Sequence, residues 1–263
     1  GFVNIIGKPN VGKSTLMNIL VGERLSIVSS KAQTTRHRIL GLINTDEYQI
    51  VFSDTPGMLK PKYELHKSMM TFVRLSLEDA DVIVFVTDLF ETDEEIEEVI
   101  TKMNGSGVPV LLVINKIDLA KEGQLEEVTQ YWTSRVQAAT VIPIAALERF
   151  NTERILQEIV ERRPVHPPFY DKEELTDRPE RFFASEIIRE KIFTNYKKEI
   201  PYSTEVGIED FHEEENLIRI RATIFVERDS QKGIVIGDKG KMLKKVGTEA
   251  RADLEKFFGK KVF

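Results

Sequence analysis

The octapeptide Gly7-Lys8-Pro9-Asn10-Val11-Gly12-Lys13-Ser14 constrains this chain more than any other stretch. It matches G-x-x-x-x-G-K-[ST] and stands between an apolar run, Phe2 to Ile6, and a helical pattern from Thr15 to Val21. Strand, glycine-bearing turn and helix form the setting in which that pattern reads as a phosphate-binding loop and not as a surface turn. Gly7 and Gly12 permit a backbone whose successive N–H groups converge on one concavity, and the helix N-terminus behind them adds partial positive charge. Lys13 is placed to reach the β- and γ-phosphates of a nucleoside triphosphate, and the Ser14 hydroxyl to take one position on Mg²⁺. Pro9 stiffens the loop and has no N–H to offer.

Downstream, a polar segment from Ser29 to Arg38 leads into two short strands, Ile39 to Ile43 and Tyr48 to Phe52, separated by a turn at Asn44 to Glu47. Asp54-Thr55-Pro56-Gly57 then sits at the end of the second strand. Alone it is a turn; about forty residues after a phosphate loop it reads as the element that senses the γ-phosphate. Asp54 is expected to hold Mg²⁺ through water, the Gly57 N–H to reach a γ-phosphate oxygen, and Thr35 to be the second protein ligand of the metal. Segments ordered by the γ-phosphate and released on hydrolysis make a switch.

A helix is expected from Lys67 to Asp79, a buried strand from Ala80 to Val86, an acidic helix from Glu94 to Ser106 and another buried strand from Val108 to Ile114. The second buried strand ends in Asn115-Lys116-Ile117-Asp118. A carboxylate there accepts two hydrogen bonds from the guanine ring N–H and exocyclic amine, which adenine does not present, so Asp118 selects the base. Asn115 is expected to tie the base to the loop, and the Lys116 stem to lie over the ring. A further strand, Val141 to Ile144, brings Ala145 and Ala146 to the same end, where a backbone N–H meets the base carbonyl. Alternating strands and helices predict a doubly wound, mostly parallel sheet with its ligand at the carboxyl ends of the strands. The expected nucleotide-contacting set is Gly7, Lys8, Pro9, Asn10, Val11, Gly12, Lys13, Ser14, Thr15, Asp54, Thr55, Pro56, Gly57, Met58, Asn115, Lys116, Asp118, Ala145 and Ala146. Ser14, Thr35 and Asp54 are the metal set.

Residues 1–163 make up this first domain. A linker is expected over 164–179, where Pro164, Pro167, Pro168 and Pro179 occur with little apolar periodicity. Residues 180–263 read as helix (Arg181 to Tyr196), strand (Ser203 to His212), strand (Leu217 to Glu227), a short apolar helix and a long amphipathic one. Between those two helices lies Gly237-Asp238-Lys239-Gly240. Two glycines let the backbone approach nucleotide phosphates, while Ile234 and Ile236 line a groove for unstacked bases. Lys232, Lys239, Lys241, Lys244 and Lys245 surround the loop, with Asp238 as the acid expected among them. The order α-β-β-α-α is that of a type II KH domain, whose last strand is expected to begin at Lys260 to Phe263 and to be cut short there. Charge agrees with this division of labour. Residues 178–263 carry 18 Lys/Arg against 16 Asp/Glu in a chain whose net charge is −6, so a polyanion is expected on the second domain.

The 263-residue length suits two cores. There is no Cys, hence no disulfide or thiolate metal site, which fits a reducing compartment. No apolar run is long enough for a membrane span, and no signal peptide is visible, although the chain begins inside a strand. His37, His66, His166 and His212 lack metal-ligand spacing. Trp132 and most Phe residues are expected in the core.

GKPNVGKS, QTTRH, DTPG, NKID and QKGIVIGDKGKMLKKVGTEAR together resemble the Era family of bacterial GTPases, over essentially the whole chain. The resemblance implies a GTP-hydrolysing factor in 30S ribosomal subunit assembly. Its KH domain would bind the 3′ end of 16S rRNA, and part of a cytoplasmic, monomeric population would sit on the inner face of the cell membrane. Most relatives have Ser or Thr where Ala145 stands. Two other classes compete: a related GTPase of tRNA modification or membrane transport, which the KH signature opposes, and an RNA-binding module with a non-catalytic nucleotide site. Catalysis poses its own question, since Met58 occupies the place where better-known GTPases carry a water-orienting Gln. Asn10, Lys13 and Thr35 are the expected catalytic residues. Relatives with Asn at this loop position look potassium-dependent, so K⁺ held by Asn10 and by oxygens from Ser29 to Thr34 is expected to replace an arginine finger.

Overall fold

The computed structural model describes residues 1–28, 34–61 and 64–263, with only the backbone at Glu64. The expected oxygen donors from Ser29 to Gln33 lie outside the described residues. The chain forms two compact units, the first of residues 1–26 and 35–177, the second chiefly of 178–263.

The first unit carries β1 (Phe2–Ile6), α1 (Lys13–Val21), β2 (Ile39–Asn44), β3 (Gln49–Asp54), α2 (Glu64–Glu78), β4 (Val82–Asp88), α3 (Glu97–Gly105), β5 (Val110–Asn115), α4 (Gln124–Thr133), β6 (Thr140–Pro143) and α5 (Thr152–Arg162). Its sheet runs β2-β3-β1-β4-β5-β6, parallel throughout except that β2 is antiparallel to β3. β3, β4 and β5 are buried along their whole length, and their apolar runs, Ile50 to Phe52, Val82 to Val86 and Val110 to Ile114, are those of strands covered on both faces. Trp132 on α4 is fully buried and meets Phe85 of β4 edge-on, ring centroids 5.2 Å apart. The carboxyl ends of β1, β3, β4 and β5 therefore lie side by side, each continuing into a loop.

Within the expected linker, 164–179, the residues up to Asp177 group with the first unit. β2 is an edge strand, and residues 169–175 satisfy its open side. The Leu42 N–H donates to the Leu175 carbonyl at 2.9 Å, and the Asn44 amide to Glu174 O at 2.8 Å. The Gln49 side chain accepts from the Phe169 and Tyr170 N–H groups and donates to Tyr170 O. Covering an edge in this way removes a site of unwanted strand pairing.

The second unit consists of α6 (Glu180–Asn195), β7 (Thr204–Glu213), β8 (Leu217–Val226), α7 (Asp229–Ile236), α8 (Lys241–Phe258) and β9 (Lys261–Val262). β7 and β8 are antiparallel with a bulge between Ile208 and Asp210, and β9 adds to β8 in parallel. The helices bury Ala184, Ile187, Ile192, Val246, Ala250 and Leu254 against one face of this sheet.

Candidate functional site

The phosphate loop is built by its two glycines. Gly12, at φ 101°, caps α1, and a Cβ there would stand 2.2 Å from the Asn115 amide nitrogen. A Cβ on Gly7 would strike the Val86 carbonyl at 2.1 Å. No side chain fits at either position. The loop is thereby pressed against β4 and β5, and Asn115 locks it: Nδ2 donates to Val11 O at 2.8 Å, while Oδ1 accepts from the Ala146 N–H at 3.0 Å. One amide side chain thus ties the phosphate loop to the loop of Ala145 and Ala146.

Lys13 is buried and donates to the Lys8 carbonyl across the loop at 2.7 Å. Burial lowers its pKa to about 8, against the opposing pull of Asp54 and Glu91. Around its foot three oxygens converge. Ser14 Oγ lies 2.7 Å from Asp54 Oδ2 and 3.0 Å from Thr35 Oγ1, and Thr35 Oγ1 is 3.4 Å from Asp54 Oδ2. Asp54 is fully buried, and its other oxygen, Oδ1, has no hydrogen-bond partner among the described residues. Burial pushes this carboxyl up, while the Lys13 charge and hydroxyl hydrogen bonds pull it down. Two hydroxyls and a carboxylate with an orphaned oxygen form a hard-oxygen donor set, which suits Mg²⁺ and its retained waters. Sequence reading placed all three residues, and the structure brings them together.

At the base end, Lys116 adopts φ 64° and Asp118 lies exposed in a single 3₁₀ turn, Ile117–Leu119. The Lys116 ammonium is 2.6 Å from Asp88, a carboxylate to which sequence reasoning assigned no role. The only signal for it was an acid closing an otherwise apolar strand. Both amides expected to greet the base are already engaged, Ala145 with Phe150 O of its own loop at 3.3 Å and Ala146 with Asn115 at the end of β5. A base carbonyl would share or displace these bonds.

One expectation about the nucleotide site needs correction. The Met58 side chain does not border the nucleotide. It is fully buried in the core beside Met69, Met70 and Val73, and only its N–H reaches the phosphate loop, donating to Gly7 O at 2.9 Å. The apolar thioether follows the hydrophobic effect inward. Gly57, by contrast, lies where a Cβ would be 2.7 Å from Pro9, so the DTPG turn closes directly on the loop. Asn10 is exposed at the loop tip with φ 65°.

In the second unit, α7 ends at Gly237 (φ 72°, ψ 179°), and Lys239 and Gly240 are also left-handed before α8 begins. A Cβ on Gly237 would meet Met242 at 2.7 Å, whereas one on Gly240 would enter open space. Gly237 is a packing requirement, and Gly240 leaves its backbone open to a ligand. Ile234 and Ile236 are 53% and 47% exposed, flanking the buried Val235. Asp238 is not the sole acid among the lysines: Lys232 pairs with Asp229 at 2.8 Å, Lys241 with Asp238 at 3.2 Å and Lys245 with Glu249 at 3.9 Å. These exposed pairs are weak and exchange readily for phosphate. Lys239 and Lys244 make no ion pair among the described residues.

A P-loop GTPase unit followed by a KH unit is the class that fold and sites define. Family models agree: one described as "50S ribosome-binding GTPase" matches residues 2–116, and one described as "KH domain" matches 199–263. The chain is 46% identical over 266 residues to GTPase Era of Geotalea daltonii, covering all of this chain and 89% of that protein. It is 42% identical to the chloroplastic GTPase ERA1 of Zea mays, of whose length it spans 64%. A crystal structure of Era in complex with MgGDPNP and nucleotides 1506–1542 of 16S ribosomal RNA superposes with a TM-score of 0.91, at 38% identity over the whole chain and 90% of that one. The chain belongs to the Era family of GTPases. Its first unit binds GTP and hydrolyses it to GDP and phosphate.

Proposed function

We propose that this protein is a GTP-operated switch whose KH unit binds the 3′ end of 16S rRNA and which assists assembly of the 30S subunit. One observation carries the reading: a GTPase unit shares a chain with a GxxG loop whose open glycine backbone and exposed Ile234 and Ile236 suit a single strand with splayed bases. The Era structure described above held such an RNA segment. Anisotropy with a fluorescent RNA copy of the 16S 3′ end tests it. Tighter binding with a non-hydrolysable GTP analogue than with GDP is expected, and equal, weak binding in both states refutes the switch.

Within the GTP site the residues divide the work. Lys13 and the loop N–H groups orient the phosphates and supply positive charge where negative charge develops. Ser14, Thr35 and Asp54 would hold Mg²⁺, which when bound neutralises phosphate charge. With Met58 turned into the core, no side chain at that place orients water. The exposed Asn10 carbonyl would hold potassium, which when bound would supply positive charge in place of an arginine finger. Turnover in potassium against sodium at equal ionic strength, for wild type and Asn10→Ala, tests this, and equal wild-type rates in the two salts end it. The protein works as a cytoplasmic monomer, with a fraction on the inner membrane face through the lysines around Gly240. Among the described residues no helix is long and apolar enough to cross a membrane. Flotation with anionic and neutral vesicles checks the membrane fraction: recovery with neither refutes it.

A further inference from the structure

The loop after β4 belongs to none of the nucleotide motifs, yet it holds a lysine from each end of the site. Asp88 closes β4 beside Asn115 of β5 in the parallel register and is 3% exposed. Its Oδ1 accepts from the Phe90 N–H at 2.9 Å, fixing the carboxylate's plane, and its Oδ2 accepts from Lys116 Nζ at 2.6 Å. Three residues on, Glu91 pairs with Lys8 of the phosphate loop at 2.8 Å. The loop itself is fastened to α4. The Asp93 N–H donates to Tyr131 Oη at 3.0 Å, Arg135 Nε reaches Asp93 at 2.8 Å, and Gln124 donates to Leu89 O at 3.3 Å.

A buried carboxylate needs a partner, but a structural role would be served by any cation. Here the partner is the lysine of the base loop. The bond to Asp88 anchors the ammonium, and the anchor on the ammonium decides where the methylene stem lies. We propose that Asp88 is a positioning residue of the nucleotide site, holding the Lys116 stem against the face of the bound base and so setting how long a purine nucleotide stays bound. The proposal rests on reading Asn115 to Asp118 as the base loop. It separates two roles within that loop. Asp118 acts in the plane of the base and decides which purine binds; the Lys116 stem acts on the ring face, which guanine and hypoxanthine share.

The test is dissociation of fluorescent GDP and IDP (the hypoxanthine analogue) by stopped-flow displacement, in Asp88→Asn, Lys116→Met, the double variant and Asp118→Ala. Asparagine keeps an acceptor for the Phe90 N–H and removes the negative charge that faces the Lys116 ammonium. Loss of a charge-assisted hydrogen bond is expected to raise both dissociation rates roughly tenfold, leaving the GDP/IDP ratio unchanged. In the Lys116→Met background the Asp88 change is expected to add nothing. Unaltered rates in Asp88→Asn overturn the proposal, and so does the same acceleration in both backgrounds, which would mean that Asp88 acts through the fold. Thermal melting without nucleotide reports that loss of fold separately. Asp118→Ala should collapse the GDP/IDP ratio. If it does not, the base-loop reading fails; if it does while Asp88→Asn changes nothing, only the present inference fails.

Discussion

Lys13 offers the most direct quantitative test of the phosphate loop, because the structure gives its charge a cost. Buried and held on the Lys8 carbonyl, it titrates at about 8 instead of 10.5, with desolvation the main cause. Without nucleotide, about half of the molecules then carry a neutral amine at pH 8, and about a tenth at pH 7. A phosphate placed beside the amine favours the charged form and returns the pKa toward the ordinary lysine range. GDP binding must therefore take up about half a proton at pH 8 and about a tenth at pH 7. Calorimetry in two buffers of different ionisation enthalpy reads that uptake directly. The control is Lys13→Met, which cannot titrate there. Uptake near zero in wild type at pH 8, or equal in wild type and Lys13→Met, refutes the reasoning.

The same shift has a sign for stability. Between about pH 8 and 10.5 the unfolded lysine holds its proton and the folded one sheds it, so the nucleotide-free protein gains stability as pH rises through that window. The gain is at most about 3 kcal/mol for a shift of this size. Saturating GDP should abolish it, because the charged lysine then has its partner in the folded state too.

The remaining predictions concern specificity and RNA. Asp118→Asn should weaken GTP by roughly 1–3 kcal/mol and gain relative affinity for xanthine nucleotides, whose ring presents an acceptor to the new amide; unchanged GTP affinity in calorimetry would remove Asp118 from the base site. Gly240→Asp should abolish RNA binding with GTP affinity intact, since a Cβ there would meet no described atom within 4 Å, Asp is among the few non-glycine residues that visit positive φ, and its carboxylate repels phosphate; unaltered anisotropy would put the RNA face elsewhere. Lys244→Ala should reduce the slope of log affinity against log salt by about 1 if Lys244 neutralises one phosphate, and an unchanged slope would exclude that contact.

Most of the GTP site was legible in the sequence because its residues sit at strand ends. An apolar run of period appropriate to a buried strand fixes where the chain emerges, and Ser14, Asp54 and Asn115 are set by that emergence. Asp88 emerges in the same row and was missed. Nothing in its spacing separates a carboxylate that grips Lys116 from one that merely ends a strand in water; only the register against Asn115 does. The edge docking of 169–175 was missed for a related reason. Prolines mark where helix and sheet interior are forbidden, but they do not exclude docking on an edge, and the donors that capture 169–175 come from Leu42, Asn44 and Gln49, far away in sequence. Met58 shows the converse, since motif position pointed it at the phosphate whereas its chemistry sent it into the core.

These particulars combine at Asn115 and Asp88, adjacent in the β4–β5 register. Asn115 joins the phosphate loop to Ala146, and Asp88 joins the base-loop lysine to a segment whose next acid, Glu91, holds Lys8. None of these bonds involves the nucleotide, yet together they close a ring: phosphate loop, Asn115, its chain neighbour Lys116, Asp88, Glu91, Lys8 and back to the phosphate loop. A nucleotide lying inside such a ring meets recognition groups already fixed relative to one another, so less ordering remains for binding to supply. Weakening one bond should loosen both ends of the site at once. Substitutions at Asn115 and Asp88 are therefore expected to be non-additive in nucleotide dissociation, unlike substitutions at sites more than about 10 Å apart with no shared partners.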